Sequence, residues 1–361
     1  MMKIRLDLYV SLFLAGTVLV STASAQLIDD TPIDPIAVEN GSAGWFPSIY
    51  GPNDQLGTLN EVTPEKTLEA LKLIIPNKNK PPKSYNLGEL MEPGINAFGN
   101  RVYEQTRVGP SLGPNFAGDN DLVSVEERIS TTYQIATQVD GLPHIGVRSV
   151  FYNGFTAADL MSEGPNGVAV LGQEHVNPYI TRGILLDVLS VKLAQGDTLA
   201  LGEPVDGKPI LADSYRITVE DLEAAMEFGN IKEITPGDVV IIRTGWSHLF
   251  GTDPALRARY IGREPGIYLR EARWLAQFRP AIVASDTPAL EVLPAPAPWT
   301  GLQVFPVHQE LLTHHGIRIG EAFNSEELAA DGVCELMDRL VPSFLNALSS
   351  QKVRGTCVLL K

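Results

Sequence analysis

Two short, mostly apolar runs, Ile184-Leu185-Leu186-Asp187-Val188 and Val239-Val240-Ile241-Ile242-Arg243, constrain this chain more than any other feature. Neither run alternates polar with apolar, and neither is long enough for a buried helix. That pattern predicts strands covered on both faces, as in a sheet layered with helices. Thr181-Arg182-Gly183 leads into the first run, and Pro236-Gly237-Asp238 turns into the second. Helical patterns fall around them. Thr218-Val219-Glu220-Asp221 starts a helix to about Phe228, with Thr as the cap. Residues 265–278 read as helix, 281–284 as strand, 307–315 as a helix stopped by Gly316, and 317–319 as a short strand. From Ser325 to about Ser349 the chain reads as mostly helix. This alternation predicts an α/β fold with a mixed sheet. No repeat or composition break divides residues 26–361, which are expected to form a single domain. Upstream, residues 26–60 read as an extended arm with turns, and Thr63-Pro64 opens a helix to about Ile75. Residues 76–82 form a basic, Pro-rich linker. Residues 93–120, rich in Gly, Pro and Asn, read as a long surface loop of the lid or binding type.

The N-terminus carries Lys3 and Arg5, an apolar run from Leu8 to Val20, and Ala23-Ser24-Ala25. A basic start, a short apolar core and an Ala-x-Ala site are the parts of a secretory signal peptide over residues 1–25. The expected location is therefore periplasmic, with no membrane contact once the leader is removed. The formal net charge is −15, which argues against nucleic acid and anionic membranes as partners. A small-molecule substrate is the expected partner. Cys334 and Cys357 stand beside no His or Cys ligand pattern.

The chemistry concentrates in Thr137-Gln138-Val139-Asp140-Gly141-Leu142-Pro143-His144. As a strand running into a turn, it points Gln138 and Asp140 to one face, and His144 can fold back over them. A carboxylate with a nearby base suits metal-assisted hydrolysis; the same residues also suit a polar strand end before a hairpin. His308 begins an apolar helix, and Glu321 ends the short strand thirteen residues later. Together with Gln138 and Asp140 they would complete a mixed N/O site suited to Zn, Mn or Fe rather than Ca. The adjacent His314 and His315 are expected to diverge, one of them meeting terminal carbonyls of its helix. Phe98, Tyr103, Phe116, Tyr152 and Trp246 can shape a pocket or serve as packing. No Gly-x-Ser-x-Gly elbow, Walker-type loop, His-Glu-x-x-His or Gly-x-Gly-x-x-Gly is present.

Residues 134–144 resemble His-x-Gly-Thr-His-x-Asp-x-Pro-x-His, the hallmark of the Putative cyclase family, which includes bacterial kynurenine formamidase and isatin hydrolase. Thr137, Asp140 and His144 match, while Gln134 and Gln138 stand in place of histidines. Residues 50–60, 181–187 and 236–246, and Ser285-Asp286-Thr287, are similar to further family segments. The resemblance implies a barrel-like mixed sheet with surrounding helices (a swivelling β/β/α fold), in dimers or tetramers. It implies metal-dependent hydrolysis of an amide, often cyclic or aryl-linked. Asp140, His308 and Glu321 match the ligands of a divalent metal, His144 matches the general base and acid, and Gln138 occupies a ligand position. The neutral amide at Gln138 favours one ion, Zn or Mn, over a two-metal centre. Gln134, Tyr152 and Trp246 are candidate second-layer or substrate contacts. A lactone or ester hydrolase, a metal-dependent lyase, and a non-catalytic small-molecule or metal-binding protein are the alternatives.

Overall fold

The apolar runs do form strands, and their side chains divide between two cores. In the computed structural model, which describes residues 29–74, 82–109, 117–164, 167–340, 353–354 and 357–360, eight strands form one mixed sheet. The expected leader, most of the linker and Phe116 lie outside the described residues. The strands are β1 (Ser84–Asn86), β2 (Gln138–Asp140), β3 (Tyr179–Asp187), β4 (Val239–Arg243), β5 (Ile282–Ser285), β6 (Arg318–Glu321), β7 (Glu335–Leu340) and β8 (Cys357–Leu360). Their spatial order is β1-β8-β7-β3-β4-β5-β6-β2. The central four, β3 to β6, run parallel, and the outer pairings are antiparallel. Beyond β1, Gly88 bridges Phe323, just past β6, and Leu87 O accepts from Asn324 N at 2.8 Å. The two sides of the sheet thus approach one another, which makes the core barrel-like, as expected from the family resemblance.

Alternate residues of each central strand serve alternate cores. Ile184, Leu186, Val240, Ile242, Val283 and Ile319 pack under the helices α1 (Val188–Gln195), α2 (Val219–Phe228) and α3 (Leu269–Ala276). Leu185, Val239, Ile241, Ile282 and Ala284 face the opposite way, onto Leu87, Phe323 and Leu336. Buried ion pairs tie the layers together. Asp238, at the turn into β4, meets Lys66 of the helix Pro64–Ile74 and Arg182 of β3. Asp286 accepts from Thr244 N at 2.9 Å and Gly245 N at 2.7 Å, locking the ends of β4 and β5 together.

Three expectations are corrected. The arm over 26–60 contains a helix, Pro35–Glu39, whose first N–H groups are capped by the Asp34 carboxylate, and Val38 is buried against Val147 and Val150. Within the supposed loop 93–120, Tyr103–Val108 pairs with Glu126–Thr131 as an antiparallel ribbon. Its partner lies across a turn-rich stretch, so no local hairpin signal marks it. Among the described residues of the expected C-terminal helix, Glu326–Ala330 are helical and Glu335–Leu340 form a strand, while residues 341–349 lie outside the described residues. Gly332, at φ +66, ends the helix, and the chain enters β7 beside β3. The open edge of β3 needs backbone partners, and that need overrides local helix preference.

Candidate metal centre

Strand β2 lies antiparallel to β6, with Gln138 opposite Glu321 and Asp140 opposite Ile319. Period-two alternation places Gln138, Asp140 and Glu321 on one face. Thr137 pins the start of this pair: its hydroxyl donates to Ala322 O at 2.5 Å and accepts from Glu89 N at 2.7 Å. His308 arrives from a helix that begins at Pro306 and widens into a π-helical turn over Gln309–His315. Asp140, His308 and Glu321 are all buried, and one donor atom from each lies within 4.8 Å of the others. His308 Nε2 is 3.1 Å from Glu321 Oε1 and 3.7 Å from Asp140 Oδ2.

The backbone around these residues is strained. Ala136, Leu290, Phe305 and Ala322 all have φ between +50 and +62. Each stands within three residues of Gln138, Glu291, His308 or Glu321. Non-glycine residues in this region are costly, and such residues cluster at functional sites.

The electrostatics call for a cation. Burial, reinforced by the Glu321 charge, pushes the Asp140 carboxyl well above its usual range. Burial likewise raises Glu321, with only partial relief from His308. Burial disfavours charge on His308, but hydrogen bonds to Glu291 and Glu321 outweigh it and hold the imidazole up at about 10. Asp140 Oδ2 is buried and has no hydrogen-bond partner. A buried carboxylate oxygen without a hydrogen-bond partner, facing an imidazole nitrogen, suits a metal ion. Glu291 completes the arrangement: its Oε1 lies 2.6 Å from His308 Nδ1 and accepts from His308 N at 3.2 Å. With Nδ1–H donated to Glu291, a metal that displaced the Nε2 proton would meet the Nε2 lone pair between Asp140 and Glu321. Asp140, His308 and Glu321 fit a metal ion.

Gln138 joins the cluster through hydrogen bonds, whereas Tyr152 and Trp246 make their polar contacts elsewhere. Gln138 directs its amide nitrogen, not its oxygen, into the cluster, donating to Glu321 Oε2 at 2.6 Å and Asp140 Oδ1 at 3.1 Å. An N–H donor has no lone pair for a metal. The reverse orientation would press an amide oxygen against two carboxylates. Gln138 therefore aims the two carboxylates, leaving Oδ2 and Oε1 toward His308. Tyr152 and Trp246 do not reach the cavities beside the site. Tyr152 is buried with its hydroxyl on Ser48 and Asp54, and Trp246 is buried with Nε1 on Tyr260 O at 3.0 Å.

His144 does sit at the cluster, with Nε2 3.7 Å from Asp140 Oδ2. Burial, with added repulsion from His308 and Arg101, lowers its imidazole to about 4. His144, Phe98, Arg101, Phe305 and Pro288 line one cavity beside His308 and Glu321. Gln134 lines the adjoining cavity, and its carbonyl accepts from Arg101 Nη1 at 2.9 Å. Tyr103, by contrast, is buried in a small core with Ile95 and Ile135. Glu291, Arg101 and Phe305 carry no sequence motif. Arg101 falls in the stretch read as a lid, which was the one available hint. The histidine pair also behaves differently from expectation: His314 and His315 stack, with ring centroids 3.9 Å apart.

The sequence profile of the Putative cyclase family matches residues 61–292, a span that contains Gln138, Asp140, His144 and Glu291. No protein of curated function matches the chain. Among solved structures, a crystal structure described as a novel cyclase matches with a TM-score of 0.69 at 27% identity, covering 86% of this chain and 97% of that one. Isatin hydrolase A from Ralstonia solanacearum matches with a TM-score of 0.50 at 14% identity, covering 81% and 96%. Isatin hydrolase A from Labrenzia aggregata, bound to benzyl benzoate, matches with a TM-score of 0.50 at 14% identity, covering 81% and 98%. At that identity the likeness is one of fold. With the family profile spanning well over half of its length, this chain belongs to the Putative cyclase family.

Proposed function

We propose that the protein is a metal-dependent hydrolase that opens the C–N bond of a cyclic or aryl amide, with one divalent ion held by Asp140, His308 and Glu321. The observation that carries this reading is the orphaned Asp140 Oδ2 facing a His308 nitrogen whose partner nitrogen is tied to Glu291. When bound, the ion would polarise the scissile carbonyl and acidify the attacking water. Zn or Mn suits this N/O donor set. His144, with Nε2 3.7 Å from Asp140 Oδ2, stands where a general base would accept the proton of the attacking water. Holding that proton weakly, it passes it readily to the leaving nitrogen. Phe98, Phe305 and Pro288 give the cavity apolar walls suited to an aryl group. Arg101 places a positive charge on the same wall, favourable to the carboxylate that hydrolysis releases. The isatin hydrolases that share the fold add support, since isatin is itself a cyclic aryl amide. The reading extends to an exported, homo-oligomeric enzyme, on the strength of the leader-like N-terminus and the family resemblance.

The test combines metal quantification on the purified chain with a screen of cyclic and aryl amides in the presence of Zn or Mn. His144→Ala should keep its metal and lose kcat/KM by roughly 10²–10⁴, the usual worth of a general base and acid. Loss of metal in that variant would make His144 a ligand instead. A wild-type chain that neither binds Zn or Mn nor cleaves any amide in the screen would overturn the proposal.

A further inference from the structure

The helix that delivers His308 carries a second group of metal-type donors at its other end, and the proposed reaction uses none of them. Successive residues of an α-helix are rotated by about 100°. The π-helical turn Gln309–His315 is wider, so adjacent side chains diverge less. His314 and His315 accordingly lie with their rings only 28° from parallel. Both address one carboxylate oxygen. His314 Nδ1 is 2.8 Å from Glu310 Oε1, and His315 Nε2 is 3.2 Å from the same atom. Glu310 is buried, whereas the two imidazoles are partly open to solvent. Arg273 binds the other oxygen, Oε2, at 3.0 Å, and is itself paired with Asp29. Trp45 stacks on His314 with ring centroids 4.4 Å apart.

We propose that Glu310, His314 and His315 form a second divalent-metal site, distinct from the centre at Asp140, His308 and Glu321. One donor atom from each of the three residues lies within 4.8 Å of the others. Two imidazole nitrogens and one carboxylate oxygen are a donor set for Zn, Co, Ni or Cu(II). Metal–ligand bonds of about 2.0–2.1 Å at tetrahedral angles separate donor atoms by roughly 3.3 Å. The observed 2.8 and 3.2 Å fall short of that by about 0.5 and 0.1 Å, and all three donor atoms lie within 4.8 Å of one another, so modest side-chain movement would make room for an ion. Arg273 holds the carboxylate by its far oxygen and leaves Oε1 free to ligate, the role an outer-layer partner plays in many metal sites. Its positive charge also weakens the site, which is therefore expected to be filled after the buried centre. A bound ion would fix the His314 ring under Trp45 and so clamp the N-terminal segment to the helix that carries His308.

The full chain with Asp140→Asn and Glu321→Gln, which disables the buried centre, tests this directly. Zn titration of this variant should show one equivalent bound. Cu(II) or Ni(II) should quench tryptophan fluorescence. Adding His315→Gln, a change at a partly exposed side chain, should weaken that binding by more than about tenfold, since loss of even an outer partner of a metal ligand costs that much. Trp45→Phe should remove most of the quenching while leaving the stoichiometry intact. A chain disabled at the buried centre that binds no ion, or that binds it equally well after His315→Gln, would overturn the proposal. Neither result bears on amide hydrolysis, which is read from the wild-type chain.

Discussion

Glu291 shows how one side chain can set the chemistry of another. It touches both ring and backbone of His308, and its contact with Nδ1 leaves Nε2 as the nitrogen available to a metal. Glu291→Gln can keep the shape but supplies only a neutral acceptor, so it neither fixes the tautomer as firmly nor strengthens the imidazole as a ligand. Metal affinity should fall by about 10–100-fold, measured by competition with a chromophoric chelator. An unchanged affinity would remove Glu291 from the site. Gln138 makes the complementary point. The sequence marks its position correctly as part of the cluster. Only the packing shows that its amide nitrogen faces two carboxylates, because the partner Glu321 comes from a strand 183 residues away.

Among the elements, the turn after the histidine pair is the most constrained. Gly316 has φ +66, and a Cβ there would lie 2.4 Å from Tyr152 Cε2 and 2.9 Å from Gly57 Cα. Its carbonyl also accepts from Thr58 N at 3.0 Å, which joins the N-terminal turn Gly57–Glu61 to the end of the π-helical segment. Gly207 has a similar φ of +76, but a Cβ there meets nothing within 4 Å. Gly207→Ala should therefore cost about 1 kcal/mol from backbone conformation alone. Gly316→Ala should cost at least about 2 kcal/mol, since an overpacking term is added. Urea unfolding of both variants checks the difference; equal losses would mean that the close approach does not matter. At this scale, element existence was legible where the signal is local. Val239–Arg243 is a strand with the bounds its apolar run suggests, and Thr218 caps a helix that ends at Phe228. It was illegible where the partner is remote, as for β7 and the Tyr103–Val108 ribbon.

In the whole molecule, charge networks staple the sheet to its surroundings. Glu326 accepts from Arg243 Nε at 2.8 Å and Nη2 at 2.9 Å, and lies 3.1 Å from His248 Nε2. Burial alone would raise its carboxyl, but the hydrogen bonds from His248 and Arg243, with their charges, hold it down at about 2. The ordinary value is 4.5. A group depressed in the folded state adds stability that is complete above its unfolded pKa. That stability is lost as pH falls from about 4.5 toward 2. Glu326→Gln should thus be less stable than wild type at neutral pH, with the gap closing below pH 4.5. Thermal unfolding across a pH series reads this, and a gap independent of pH would contradict it.

A resemblance to family motifs singled out Asp140, His144, His308 and Glu321, and the sequence by itself determined the α/β class and the central buried strands. Those features depend on residue type and short-range periodicity, which one chain displays directly. Only the tertiary structure decided that Gln138 faces both Asp140 and Glu321, that Glu291 backs His308, and that His314 and His315 converge on Glu310. Each of these depends on the direction of a side chain toward a partner placed by strand register or by a widened helical turn. Local sequence carries no record of that direction.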